Sequence, residues 1–188
     1  LARLQGNSPE QVFRKFKKHL DDLLHKTVTQ APLQLVIVES TKALVQFGSS
    51  DGPSCVQVGR RYHLFLGQTL QALRDGEQYR LRTLAYAYRI SEGPSFSDPC
   101  IFRWEYNSRE RRESLSPRHH FHTPVILRCF GTRDLNLNQL HIASGWVTVE
   151  EIIRFLIAEL NIKPKSRDWD RLLRDSEEKF REWTARSV

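Results

Sequence analysis

The chain has 188 residues, 39% hydrophobic and 27% charged, and 29 Lys and Arg against 22 Asp and Glu give a formal net charge of +7. Such a chain is long enough for one globular domain with a sizeable core, and its basic balance favours an anionic partner such as nucleic acid. No apolar run approaches ~18 residues, which argues against a membrane-spanning helix, and Leu1–Gln11 carries no apolar signal-peptide core.

Taken in chain order, Ser8-Pro9-Glu10 reads as a helix start, with Ser8 as N-cap and Pro9 in the first turn. Val12, Phe13, Phe16, Leu20, Leu23 and Leu24 recur at helical spacing and predict a helix over 8–30. Arg14, Lys15, Lys17 and Lys18 crowd its other side. That side reads first as a solvated surface, with a nucleic-acid contact as the sharper alternative. His19 and His25 read as surface residues of the same helix. Pro32 closes the segment.

Leu33–Glu39 and Ala43–Phe47 read as strands joined through Ser40-Thr41-Lys42, and Ser49 to Pro53 as a loop. Tyr62–Leu66 reads as a further strand. Gln68–Arg74 fits a strand or a short helix, and Asp75-Gly76 marks a turn. Gln78–Ile90 alternates as a strand with a shift of phase near Thr83, the sign of a bulge. Cys100–Tyr106 reads as its antiparallel partner, with Arg103 and Glu105 facing away from Phe102 and Trp104. A charged loop follows, then a strand over Phe121–Phe130 in which His120, His122 and Pro124 share one parity. Gly131–Gly145 reads as irregular. Thr148 with Glu151 forms a capping box for a helix carrying Val149, Ile152, Ile153, Leu156, Ile157 and Leu160, and Pro164 stops it. A last helix, Trp169–Trp183, places Trp169, Leu172, Leu173, Ser176, Phe180 and Trp183 on one face. Strands grouped between terminal helices predict a single α+β domain over 1–188: an antiparallel sheet, mainly within 33–130, preceded by an N-terminal helix and followed by two C-terminal helices within 148–185.

Three cysteines, Cys55, Cys100 and Cys129, without C-x-x-C spacing, argue against a disulfide framework or a cysteine zinc site and fit a reducing cytoplasm. No glycine-rich phosphate loop is present. The chemistry concentrates in Pro117-Arg118-His119-His120-Phe121-His122, after an arginine-rich run holding Arg103, Arg109, Arg111 and Arg112. Imidazole exchanges protons near neutral pH, and guanidinium grips phosphate through a planar fork. On a strand, His120 and His122 share a face with Cα atoms roughly 6.5–7 Å apart, a span suited to one phosphate. They then share acid and base roles in RNA cleavage, with Arg103 and Arg118 on the phosphate and Glu105 orienting a histidine. Two other readings stand beside this one. The H-x-H pair could hold zinc with His119, His141 or Glu105 as third ligand. The histidines could instead make only local hydrogen bonds. The tryptophans read as core or interface anchors.

Ile101-Phe-Arg-Trp-Glu-Tyr106, the histidine segment, and Leu140 to Ile157 with its V-T-V-E-E start together resemble the TumE-like family of prokaryotic toxin–antitoxin proteins. Leu84–Tyr88 resembles that family's Y-x-Y strand. The resemblance covers roughly residues 60 to 183. Where the family commonly has R-[WY]-D-N, this chain has Glu105-Tyr106-Asn107. The resemblance implies a small toxin neutralised by a cognate antitoxin protein.

The reading adopted from the sequence is a cytoplasmic toxin acting on RNA as a metal-independent endoribonuclease. His120, His122, His119 and Glu105 are its catalytic candidates. Arg103, Arg118, Arg109, Arg111 and Arg112 are its phosphate-binding candidates. It takes no metal and no cofactor, has no membrane partner, and admits a homodimer. The alternative is a non-catalytic module binding nucleic acid or an acidic partner through the basic helix and the arginine loop.

Overall fold

The computed structural model describes residues 5–49, 52–108, 117–128, 134–137 and 140–183. Helix α1 (Pro9–Thr27) is followed by β1 (Gln34–Glu39), β2 (Lys42–Gln46), β3 (Gly48–Ser49), β4 (Gly52–Pro53) and β5 (Val56–Val58). Two long strands, β6 (Tyr62–Asp75) and β7 (Gln78–Ser91), lead to β8 (Cys100–Asn107) and β9 (His119–His122). Three short strands, β10 (Ile126–Arg128), β11 (Asp134–Asn136) and β12 (Ile142–Ala143), precede α2 (Val149–Ala158) and α3 (Trp169–Trp183). The main sheet runs β1-β2-β6-β7-β8-β9-β12, with β5 pairing the start of β6, and every pairing is antiparallel. This is the expected α+β fold, with a helix before the sheet and two after it. Among the described residues no helix is long and apolar enough to cross a membrane.

The helices form where local chemistry asks for them. The Ser8 side chain accepts from the Gln11 amide at 3.2 Å, and Pro9 needs no partner for the N–H it lacks. The predicted stripe of α1 is buried along its whole length. Its cationic side is largely neutralised in place: Arg14 pairs with Glu10, Lys17 with Asp21 and Lys18 with Asp22, each one helical turn apart, while Lys15 donates to the Gln5 carbonyl. That favours the solvated reading of this surface. At α2, the Thr148 hydroxyl accepts from the Glu151 amide and the Glu151 carboxylate accepts from the Thr148 amide, the predicted capping box.

The β6–β7 hairpin is the spine of the sheet. Gly76 at φ +63° makes the turn that the Asp75-Gly76 pair predicts. Register holds from His63↔Ser91 to Thr69↔Ala85, then resumes at Leu70↔Thr83, which leaves Leu84 as the extra residue of a bulge beside the predicted Thr83. Gln68–Arg74 is strand throughout. Two-residue alternation then sorts the sheet. Leu64, Leu66, Tyr88 and Ile90 join the core with α1 and α2. Phe102 and Trp104 continue that face, and the Phe155 ring of α2 meets both edge-on, at 5.1 and 5.4 Å. Arg89, Arg103, Glu105, His120 and His122 fall on the other face.

Three sequence expectations change. The segment 49–53 is not a plain loop, since Gly48–Ser49 pairs with Gly52–Pro53. The strand expected over Phe121–Phe130 stops at His122 and restarts as β10, which pairs with β11 in a separate ladder. Pro124 lies in the gap, and proline cannot donate to a ladder. The expected irregular stretch 131–145 holds β11 and β12.

His19 also departs from expectation. It turns inward and meets the Ser176 Oγ of α3 at 2.8 Å, while Ser176 donates to the buried Glu150 carboxylate of α2 at 2.5 Å. Because the serine proton goes to Glu150, His19 Nε2 carries the proton of the first bond. Burial pushes the His19 pKa down from 6.5 to about 4, Lys179 adds to the fall, and Asp22 opposes it. Between those values the unfolded ring binds a proton that the folded ring refuses. The contribution of His19 is therefore fully present above pH 6.5 and is lost as pH falls toward about 4. Urea unfolding at pH 7 and pH 5 should show a smaller loss of stability on acidification for His19→Gln than for wild type. Equal losses would show that His19 is not the group responsible.

Candidate functional site: three histidines on the polar face of the sheet

The site is set by register. Strand β8 lies against β9 with Arg103 opposite His122 and Glu105 opposite His120. Strand β12 lies on the far side of β9, with Ile142 opposite Phe121 and Ala143 opposite His120. Continuing that antiparallel register by one residue sets His141 opposite His122. Directly opposed residues of an antiparallel pair share a face. One carboxylate, three imidazoles and one guanidinium are thus gathered from three neighbouring strands.

The three rings stand at mutual centroid distances of 5.0 Å (His120–His122), 4.9 Å (His120–His141) and 4.9 Å (His122–His141), with interplanar angles of 87°, 69° and 73°. One nitrogen from each lies within 4.8 Å of the others. His120 and His122 are buried at 5% and 2% exposure, and His141 is exposed. The Glu105 carboxylate lies beside the two buried rings, its Oε2 lying 3.2 Å from His120 Nε2 and 3.6 Å from His122 Nε2. The same oxygen is 3.3 Å from Arg103 Nε.

His120 Nδ1 lies 2.9 Å from the Pro117 carbonyl. A carbonyl only accepts, so Nδ1 holds a proton and Nε2 is the nitrogen turned toward Glu105. The donor set of imidazole nitrogens with one carboxylate suits a transition-metal ion as well as proton transfer.

The structure brings together His120, His122, Glu105 and Arg103 as the sequence suggests. Both side chains approach Glu105 Oε2, at 3.2 and 3.6 Å. His119 does not join them. It lies on the opposite face, stacked on Tyr106 with centroids 4.4 Å apart and near the Tyr86 hydroxyl at 3.4 Å. Burial lowers the His119 pKa, with Arg118 and His120 adding to the fall. Adjacent strand residues point to opposite sides, so no local adjustment turns His119 into the cluster. Arg118 is exposed just before β9. Arg109, Arg111, Arg112 and Cys129 lie outside the described residues.

His141, left undecided by sequence, is the third member. Its one local signal is a position just ahead of the short β12. The Y-x-Y pair of β7 is structural: Tyr86 and Tyr88 stack at 4.6 Å on the helix-facing side, and Tyr88 is fully buried with its hydroxyl accepting from Gln68. Trp104 packs between Phe102, Phe121 and Phe155, as an anchor should. No family model, curated protein or solved structure matches this chain.

The fixed tautomer of His120 is directly observable. Long-range proton–nitrogen NMR at neutral pH should show His120 Nδ1 protonated and slow to exchange. A spectrum with the proton on Nε2 alone would break the Pro117 bond and the orientation that depends on it.

Proposed function

We propose that this protein cleaves RNA at the His120, His122, His141 and Glu105 cluster, as the toxin of a toxin–antitoxin pair held in check by a cognate protein. The observation that carries the proposal is the grouping of three imidazoles, two of them against a carboxylate that also meets an arginine, on the sheet face away from the helices. Breaking a phosphodiester needs an activated oxygen and positive charge to meet the charge that develops on phosphorus. The cluster marks where the oxygen is activated. Arg103, on the same face, and the exposed Arg118 supply the positive charge.

Two guanidiniums stand beside the cluster on this face of the sheet. Arg89 and Arg103 stand directly across from each other on β7 and β8, in line with His122. Arg103 is paired with Glu105, and Arg89 is buried and donates to the Asp98 carbonyl. On α1 three of the cations are likewise paired with neighbouring acids. The net charge of +7 draws a polyanion toward the molecule as a whole. The TumE-like motifs of the sequence fit the same reading, since Glu105, His120 and His122 all come from them.

Induced expression in a bacterial host should arrest growth with fragmentation of total RNA, and His120→Ala/His122→Ala should abolish both. With purified protein the cleavage rate should fall at least about 100-fold. Both histidines are buried, so Glu105→Gln, which keeps the shape of a partly exposed side chain, is the companion variant. Arrest that survives in all these variants would sink the assignment. RNA bound but left intact by the wild type would favour a non-catalytic binding module.

A further inference from the structure

We propose that His120, His122, His141 and Glu105 form a binding site for a single divalent transition-metal ion of the zinc class. Ion binding at this cluster requires no particular substrate, so it stands apart from the assignment to RNA.

The first argument is distance. An ion held at about 2.05 Å by imidazole nitrogens in tetrahedral directions puts the ring centroids roughly 5.2 Å apart and neighbouring donor atoms about 3.3 Å apart. The three centroid separations here are 4.9, 4.9 and 5.0 Å, a nearly equilateral triangle. The rings are steeply inclined to one another, at 69° to 87°. Glu105 Oε2 sits 3.2 and 3.6 Å from the two buried Nε2 atoms, on either side of the expected donor–donor edge. The widest separation among the histidine nitrogens, within 4.8 Å, closes by rotation of the imidazoles about their own side-chain bonds.

The second argument is the proton inventory. The Pro117 carbonyl takes the Nδ1 proton of His120 and turns its Nε2 toward a carboxylate oxygen 3.2 Å away. In the neutral ring that Nε2 carries a lone pair, and a lone pair facing a carboxylate repels it. A proton, on the ring or on the carboxyl, or a metal ion must lie between them, and the ion also accounts for the approach of His122 and His141. A backbone carbonyl on the remote nitrogen is the usual outer-shell partner of a metal-bound histidine, fixing tautomer and ring orientation together.

The third argument is burial. Two imidazoles lie at 5% and 2% exposure on the polar face of the sheet. The exposed His141 stands beside them and leaves the cluster open to solvent on one side. Nitrogen donors with a single carboxylate select zinc, nickel, iron or copper over magnesium and calcium, which prefer all-oxygen shells.

Sequence and space give opposite ranks to two histidines, and this makes the test sharp. His119 belongs to the H-H-x-H cluster of the sequence but faces away. His141 is remote in sequence but completes the triangle. Full-length protein, purified without a histidine tag or nickel resin, should carry about one zinc per chain by elemental analysis. After chelation it should take up zinc in calorimetry, and take up cobalt with the intense visible bands of a four-coordinate site. His141→Ala and His122→Ala should weaken zinc binding at least about 100-fold, since loss of an outer-shell partner alone costs 10–100-fold. Glu105→Gln, which keeps a weaker oxygen donor in place, should weaken it at least about 10-fold, and His119→Ala should bind as wild type. His141 is exposed, so its alanine variant should keep the far-ultraviolet circular dichroism of the chelated wild type. Failure of the wild type to bind zinc or cobalt at micromolar concentrations would overturn the metal site. So would His141→Ala binding as tightly as wild type, or His119→Ala losing as much as His141→Ala. Zinc bound as expected by a protein that leaves RNA intact would keep the metal site and discard the ribonuclease.

Discussion

The two-residue alternation of β7, β8 and β9 is the constraint on which the rest of the molecule depends. Each strand must hide one set of side chains beneath the helices and present the other set away from them. Ile90, Phe102 and Trp104 answer the first demand, and Arg89, Arg103 and Glu105 the second. A slip of one residue between β8 and β9 would exchange the faces. With β8 held in place by β7, it would drive His120 and His122 toward the helices and turn Phe121 outward, at the cost of buried imidazoles in the core and an aromatic ring in water. The register Arg103↔His122 and Glu105↔His120 is therefore enforced by the apolar side of the sheet, although its chemical consequence appears on the polar side.

The same logic explains the histidines. An H-x-H pair on a strand is placed by the pleat alone, with no special loop required. The carboxylate arrives from the neighbouring strand because Glu105 holds the position directly opposite. The third ring arrives because β12 adds a further short strand beyond β9. Strands of two to four residues contribute little stability, yet each fixes the direction of the side chains it carries. Geometry on this face is thus inherited from the long, well-packed β6–β7 hairpin through successive antiparallel neighbours.

Much of this was legible in the sequence, for reasons that differ by element. The helices announce themselves through local chemistry: Ser8-Pro9 and the Val12-to-Leu24 stripe for α1, and Thr148 with Glu151 for α2. The bulge near Thr83 was readable because the apolar phase shifts there. The same-face relation of His120 and His122, and the outward placement of Arg103 and Glu105, follow from parity. Less legible were features that only tertiary pairing decides. Gln68–Arg74 is strand because β2 and β7 flank it, not because its own pattern says so. The break after His122 depends on Pro124 meeting a ladder it cannot continue. His141 is the clearest case: no spacing rule links it to His120 and His122, and its role rests on β12 pairing back to β9. His119 shows the converse error, in which nearness in sequence was mistaken for nearness in space.

The helices take part in the site without touching it. Phe155 of α2 presses on Phe102 and Trp104 from beneath, and Trp104 in turn packs on Phe121 of β9. Phe102 and Trp104 flank Arg103 along β8, and Phe121 lies between His120 and His122. The underside of the site is therefore a continuous layer of aromatic rings carried by alternate residues of the two strands that hold the cluster on top. That layer resists twisting of β8 against β9, the motion that would move Glu105 Oε2 away from the two imidazoles. α2 is itself pinned through Glu150 and Ser176 to α3, and through His19 to α1. A polar chain linking three helices thus supports an aromatic layer, and the aromatic layer holds the separations of about 3 to 5 Å on which chemistry at the opposite face depends.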